Sequence, residues 1–503
     1  MIGNDKPVSK TRSSWLSRLS QGVHHYIGVD GGSGINLLAD LAGRDPYLQQ
    51  VSSPRHADLL LVVEPISQKL APSVVMMAAV LAHPACVLLV GEPEAGLATF
   101  PGTDLAHLDD LFPGAHRIAF ASVEQVLDAA LHSEQWSETN LANIPGEEEM
   151  TIQLPSKQDQ EMATELAVLS LGPIQPFTAG PLRLFLICDG EQVFSVQMET
   201  EYASRGIDHD MIQRNWQHGL LLARQFDPLS PLAGQIAYVR ALEQLQGWQP
   251  DTQLQASREL VLALERTHNT LWWLVRFARL LADSVLTKCS YQLARHLTEV
   301  CSHVWQRPPE EWLLPQYVAP HMIGNKNASA PIQQVVDGAK ALQQYVERNR
   351  GFALRTRGIG SLTTEHLEKQ GVTGGPVFAA SEHGRGDVQS RLRTRLHTAV
   401  EDLRSAAEIL SSLTAQQATS FHEASWDVPP GEARTMAVGP RGAIGLHLVH
   451  NQVKEHDGPT QVAWQGPSAP LVALLPELLV GQKLADAEVI LASLDIVMAE
   501  VDG

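Results

Sequence analysis

Leu59-Leu60-Leu61-Val62-Val63, closed by Glu64-Pro65, and Cys86-Val87-Leu88-Leu89-Val90, closed by Gly91-Glu92-Pro93, are the two stretches that fix the fold class of the first part of the chain. Each is a continuous apolar run too short for a buried helix and bounded by residues that break structure, the pattern of a strand covered on both faces. Pro72 to Ala82 is apolar between them and reads as the crossover helix, so Tyr26 to about Ala130 is a βαβ unit with a parallel sheet.

Past that unit the character changes. Between His132 and Val168 the chain turns to Glu, Gln, Ser and Asn, with the triplet Glu147, Glu148 and Glu149 and two prolines, the composition of a linker. Leu182 to Val196 reads as strand with a turn at Asp189-Gly190, and helical spacing dominates beyond it. Leu392, Leu396, Val400, Leu403, Ala407 and Leu410 recur at three-four intervals and build one apolar stripe on a helix, and Leu254 to Val304 carries a second helical region around Trp272 and Trp273.

The chain has 503 residues, enough for two or more cores. With 37 Lys and Arg against 56 Asp and Glu, its net charge of −19 argues against a nucleic-acid partner, which needs a basic face to neutralise phosphates. Four cysteines, Cys86, Cys188, Cys289 and Cys301, form no Cys-x-x-Cys pair, in keeping with a reducing compartment. The stretch through Trp15 is polar and basic without an apolar signal core, and no apolar run approaches the ~18 residues of a membrane span. Contact with a membrane is therefore expected through partners.

Val29-Asp30-Gly31-Gly32-Ser33-Gly34, Pro46-Tyr47 and Ser53-Pro54-Arg55-His56-Ala57-Asp58-Leu59 resemble the cluster-bearing small subunit shared by respiratory complex I and the membrane-bound [NiFe] hydrogenases of group 4. The second half is similar to the large subunit of the same family. The matching strings, in family order, are Gly172-Pro173-Ile174-Gln175-Pro176-Phe177-Thr178-Ala179-Gly180, Arg205-Gly206-Ile207, Phe226-Asp227-Pro228-Leu229-Ser230-Pro231, Arg357-Gly358-Ile359-Gly360, Gly374-Gly375-Pro376, Pro440-Arg441-Gly442 and Leu494-Asp495-Ile496-Val497-Met498-Ala499-Glu500.

The resemblance implies an α/β plus mainly α chain. A flavodoxin-like, doubly wound domain (1–132) is joined by a linker (133–168) to a mostly helical large-subunit-like domain (169–503) with a small β portion at its start. It also places the family's metal and quinone positions, where the departures lie. The four cluster cysteines fall on Gly34, Leu37, Pro93 and Ala115, and no thiolates replace them. The two quinone-side histidines fall on Gln175 and Ala179, and the quinone tyrosine on Pro228. The nickel cysteines fall on Asp227, Ser230, Val497 and Glu500. Neither an iron–sulfur cluster nor nickel is expected, and a redox-silent relative follows.

By the same resemblance the partners are antiporter-like and quinone-channel-like integral membrane subunits, on the cytoplasmic side of the inner membrane. The role is a scaffold or gate on a membrane arm that moves ions or inorganic carbon. A rival is an NAD(P)H-quinone oxidoreductase or hydrogenase-type subunit that takes ligands from another subunit. Asp227, Asp495 and Glu500 are candidate proton-relay acids, set against a structural reading as hydrogen-bonded acids.

Other groups have plain and sharper readings. The Gly31 to Gly34 turn could cradle a phosphate, but no GK[ST] or GxGxxG accompanies it. Cys289, His296, Cys301 and His303 are the densest set of soft ligands and could hold zinc for hydration chemistry if the helix ended before Cys301. His24, His25, His209 and His218 read as surface or capping groups, and Trp272 and Trp273 as core aromatics.

Overall fold

The computed structural model describes residues 24–32, 34–44, 48–81, 86–91, 105–119, 123–132, 166–175, 177–304, 329–412, 426–451 and 457–503. Its N-terminal part is a parallel sheet of β1 (His24–Asp30), β2 (Leu48–Gln50), β3 (Leu59–Val63), β4 (Cys86–Val90) and β5 (His116–Ile118), in the order β2-β1-β3-β4-β5. The two apolar runs pair directly, Leu59 with Cys86 through Val63 with Val90. All ten of their residues are buried because helices cover both faces. Helices Ile35–Arg44 and Val123–Leu131 close one face through Leu38, Leu41, Val126 and Ala130. Helices Ala71–Ala79 and Leu108–Leu111 close the other through Val74, Val75, Ala78 and Leu108. At about 1.5–3 kcal/mol per buried Leu or Val, this double covering holds the domain together.

The second part opens with an antiparallel sheet of β6 (Ala167–Leu171), β7 (Arg183–Asp189) and β8 (Gln192–Glu199), ordered β6-β7-β8. β6 takes in the last two residues of the expected linker; residues 133–165 of that linker lie outside the described residues. The body is helical. Helix Thr252–Leu280, capped by the Asp251 carboxylate accepting from Leu254 N at 2.7 Å, packs against Ser284–Val304 and Val388–Ser412. The stripe read on Val388–Ser412 faces the core, with Leu392, Leu396 and Leu403 fully buried and Ala407 and Leu410 packed at its margin.

The expected layout named a small β portion at the start of this part; the structure adds another sheet near its end. β9 (Gly431–Val438), β10 (Ala443–His450) and β11 (Gln461–Gln465) form a second antiparallel sheet, ordered β11-β10-β9. Ile444, Leu446 and Leu448 alternate inward along β10, a period of two. The two parts meet along helix Ile35–Arg44, where the Tyr291 hydroxyl donates to Asp40 at 2.9 Å and Arg276 donates to Asn36, and at the loop after β3, where Ser67 Oγ donates to Tyr202 O at 2.6 Å. Among the described residues no helix is long and apolar enough to cross a membrane.

Candidate functional site

The loop after β1 is closed by its own aspartate. Asp30 Oδ1 accepts from the backbone N–H of Gly32 at 2.9 Å and of Gly34 at 2.6 Å, so the anion in this glycine turn is internal and the phosphate reading loses its donors. Gly32 has φ +123°, and a Cβ there would stand 2.7 Å from Arg205 Nη2, which is why glycine is needed. A Cβ on Gly34 would stand 2.4 Å from Val63 Cγ1, so a cysteine at that position would collide with β3. Leu37 packs into the apolar layer on one face of the parallel sheet, and Ala115 lies against the layer on the other. None of these three side chains carries a ligand atom, which does not fit an iron–sulfur cluster; Pro93 lies outside the described residues.

The positions that the resemblance assigns to quinone are also committed elsewhere. Gln175 turns into its own loop: its Oε1 accepts from Thr178 N at 3.3 Å, and its Nε2 donates to Thr178 Oγ1, which donates onward to Gly180 O at 2.8 Å. Ala179 is stitched to the C-terminal segment, donating to Ile496 O at 2.9 Å and accepting from Met498 N at 2.8 Å. Pro228 lines a cleft between the two parts of the chain.

Where the resemblance places nickel, the chain builds a buried cluster of ion pairs. Arg441, on the turn between β9 and β10, is 3 % exposed; it donates to Asp227 Oδ2, approaches Glu500 at 3.3 Å and lies 3.5 Å from Asp495. Asp495 caps helix Leu484–Leu494 in the left-handed region (φ +57°) and also takes Arg395 at 3.1 Å and Arg276 at 3.2 Å. The Arg395 guanidinium lies 4.7 Å over the Trp273 ring, whose Nε1 donates to Ala492 O at 2.8 Å. Three guanidinium groups and three carboxylates thus share one water-poor volume, and Arg276 links it across the interface to Asn36.

Every candidate metal donor here has a partner. Asp227 Oδ1 accepts from Leu229 N at 3.1 Å and Ser230 N at 3.2 Å, and Glu500 Oε2 accepts from Ser468 N at 3.0 Å. Ser230 Oγ donates to Glu265 Oε2 at 2.7 Å, and Val497 contributes only backbone groups, its N–H donating to Ser468 Oγ at 3.1 Å and its carbonyl accepting from Glu500 N at 3.2 Å. This hard, charge-compensated oxygen set does not fit a nickel centre of the family's thiolate type. The electrostatics follow from burial. Desolvation, reinforced by the negative charge of Asp227, pushes Glu500 up to about 8, although Arg441 opposes it. Desolvation likewise raises Glu265 to about 7, against its hydrogen bonds from Ser230, Leu232 N and Ala233 N. Arg441 itself is raised: burial works against its charge, but Asp227, Asp495 and Glu500 outweigh it.

The expected soft-ligand set does not converge. Helix Ser284–Val304 runs unbroken past Cys301, so the condition for a zinc site is not met. Cys289 and His296 face a groove against Tyr345, whereas Cys301 lines the interdomain cleft beside Trp272 and Arg295. The His303 side chain lies outside the described residues, and among those described no three His, Cys, Asp or Glu side chains form a metal-binding group. His24 is buried in β1 rather than on the surface, while His218 sits at a helix start where its N–H donates to the Asn215 cap at 3.0 Å.

Several participants are not singled out by the sequence: Glu265, Arg276, Arg391 and Arg395; Arg205 is marked only by its Arg-Gly-Ile string. Arg391 and Arg395 do carry a signal, since both fall beside the apolar stripe of Val388–Ser412, and both are buried. Arg205 is 6 % exposed and its guanidinium makes a single 3.4 Å bond to Gln225 O, with Nε and Nη2 unpartnered beside the glycine turn. Burial lowers it to about 10, although the charges of Asp30 and Asp227 pull the other way.

Comparison with known proteins agrees with the second half of this geometry. Residues 392–503 match the family described as respiratory-chain NADH dehydrogenase, 49 Kd subunit. One of the D subunits (D 2) of the NADH-quinone oxidoreductase of Koribacter versatilis is 24% identical over 407 residues, covering 69% of this chain and 98% of the relative. NADH-quinone oxidoreductase subunit 4 of Thermus thermophilus is 25% identical over 416 residues, covering 71% and 98%. In fold, the chain is similar to a component of the membrane-bound sulfane sulfur reductase, an archaeal respiratory membrane complex, with a TM-score of 0.57 at 21% identity, covering 67% of this chain and 98% of that one. The large-subunit-like part is thus similar to the D subunits of NADH-quinone oxidoreductases.

Proposed function

We propose that this chain is a redox-silent peripheral component of a complex I-related membrane assembly, in which a small-subunit-like and a large-subunit-like domain are fused. The observation that carries this reading is the self-neutralised cluster of Arg441, Arg276 and Arg395 with Asp227, Asp495 and Glu500 at the position the resemblance gives to nickel. A redox site keeps open coordination positions or free donors; here arginines fill the volume and the donors point at one another. The collision a cysteine would make at Gly34 supports the same conclusion for the iron–sulfur cluster. The parallel order β2-β1-β3-β4-β5 supports the flavodoxin-like, small-subunit-like assignment of residues 1–132.

In this reading the chain sits on the cytoplasmic side of the membrane, on quinone-channel-like and antiporter-like subunits, as a scaffold or gate of an ion- or inorganic-carbon-moving arm. Arg276 and Asn36 tie the charge cluster to the domain interface, so a change of proton occupancy at Glu500 is felt where the two domains meet. The test is affinity purification of the full chain from gently solubilised membranes. Recovery of an antiporter-like membrane protein in stoichiometric amount is the expected result, and its absence from every preparation overturns the assignment.

A further inference from the structure

A cavity with a volume of about 800 Å³ lies between the two parts of the chain, inside the range of about 300–1,000 Å³ typical of small-molecule sites. Its wall is mostly apolar: Ile27, Leu38, Leu48, Val51, Met77 and Ile174. Gln175 and Thr178 border it and are hydrogen-bonded within their own loop.

The charged groups of the wall differ from one another. Asp30 is held by Gly32 N and Gly34 N and lies near the Arg205 and Arg276 charges. Arg276 is bonded to Asn36 and Asp495. Arg279 is left over: its side chain makes no hydrogen bond or ion pair among the described residues, and Asp40, the carboxylate whose charge acts on it, is engaged by Arg44 at 2.8 and 3.0 Å and by the Tyr291 hydroxyl. Partial burial lowers the pKa of Arg279, although Tyr26, Tyr291 and Asp40 pull the other way.

We propose that this cavity binds an amphipathic carboxylate of the fatty-acid type, its headgroup on Arg279 and its chain along the apolar wall. A carboxylate matches the planar fork of a guanidinium and would supply the missing counterion, while the alkyl chain buries against the wall at about 0.8 kcal/mol per methylene. The site is independent of the gating role proposed above: it rests on the cavity and its unpaired cation alone.

The test is calorimetric titration of the full chain with dodecanoate below its micelle concentration, with dodecanol and a short-chain ubiquinone analogue in parallel. One dodecanoate per chain is expected, bound at least about tenfold more tightly than dodecanol, the worth of one charge-assisted hydrogen bond. Arg279→Met should lose that margin and Arg279→Lys should keep most of it. Met77→Trp, which fills the wall without touching the charge, should weaken dodecanoate and dodecanol together. Circular dichroism and melting curves of each variant establish that it is folded. Equal binding of dodecanoate and dodecanol, unchanged binding in Arg279→Met, or preference for the ubiquinone analogue overturns the proposal.

Discussion

Arg441→Met removes the guanidinium from the centre of the charge cluster while retaining most of its aliphatic bulk. In the intact protein that side chain is 2 % exposed and serves Asp227, Asp495 and Glu500 together. The three carboxylates do not suffer equally. Asp495 retains Arg276 and Arg395, and Glu500, with its pKa near 8, is readily neutral. Asp227, 1 % exposed, keeps only two backbone N–H donors and becomes an unpaired buried anion. Stranding one partner of such a pair costs about 3–5 kcal/mol. The midpoint of thermal unfolding should fall by roughly 5–15 °C, followed by circular dichroism at fixed pH and protein concentration. Adding Asp227→Asn leaves the amide oxygen to accept from Leu229 N and Ser230 N but removes the stranded charge. The double variant should recover at least about 1 kcal/mol over Arg441→Met, a coupling expected of contacting residues. If Arg441→Met melts within a degree or two of the parent, or Asp227→Asn gives no rescue, the cluster is not the structural replacement for a metal site described here.

The same geometry makes further predictions. Glu500 binds its proton up to about 8 in the folded chain against an ordinary value of 4.5, so its contribution to stability is fully present below about 4.5 and is lost as pH rises through 8. Glu500→Gln should therefore flatten the fall in stability across that window, and an unchanged pH profile in denaturant titrations would count against the buried acid. Leu403→Ala, fully buried on the stripe of Val388–Ser412, should cost about 2–5 kcal/mol in the same titrations. Gly34→Cys should lower stability by about 1–3 kcal/mol through its contact with Val63 and should not gain iron on anaerobic reconstitution; iron uptake would show that the loop can still open for a ligand.

What is legible in the sequence tracks how local the signal is. β3 and β4 are readable because a strand covered on both faces must be apolar throughout, and the helix Val388–Ser412 because its inward residues keep a helical spacing. The β9–β11 sheet is legible in principle, since Ile444, Leu446 and Leu448 alternate, but β9 buries only the small Ala433 and Ala437 and gives a weak period. Asp227, Asp495 and Glu500 are placed by resemblance and do fall in one cluster. Their arginines are not foreseeable as partners, because Arg276, Arg395 and Arg441 come from a long helix, a second helix and a turn, and convergence of distant segments leaves no trace in residue spacing. The soft-ligand set fails for the complementary reason: residues close in sequence along helix Ser284–Val304 point to different sides of it.

The proposed absence of a metal centre at the positions that the resemblance assigns to iron and nickel is best checked by elemental mass spectrometry together with an anaerobic visible spectrum of the full chain purified without chelators. Iron and nickel should lie far below one atom per chain, with no visible absorption band. About four irons per chain with the broad absorption of an iron–sulfur cluster, or one nickel, would show that the chain still carries a metal centre and is not redox-silent.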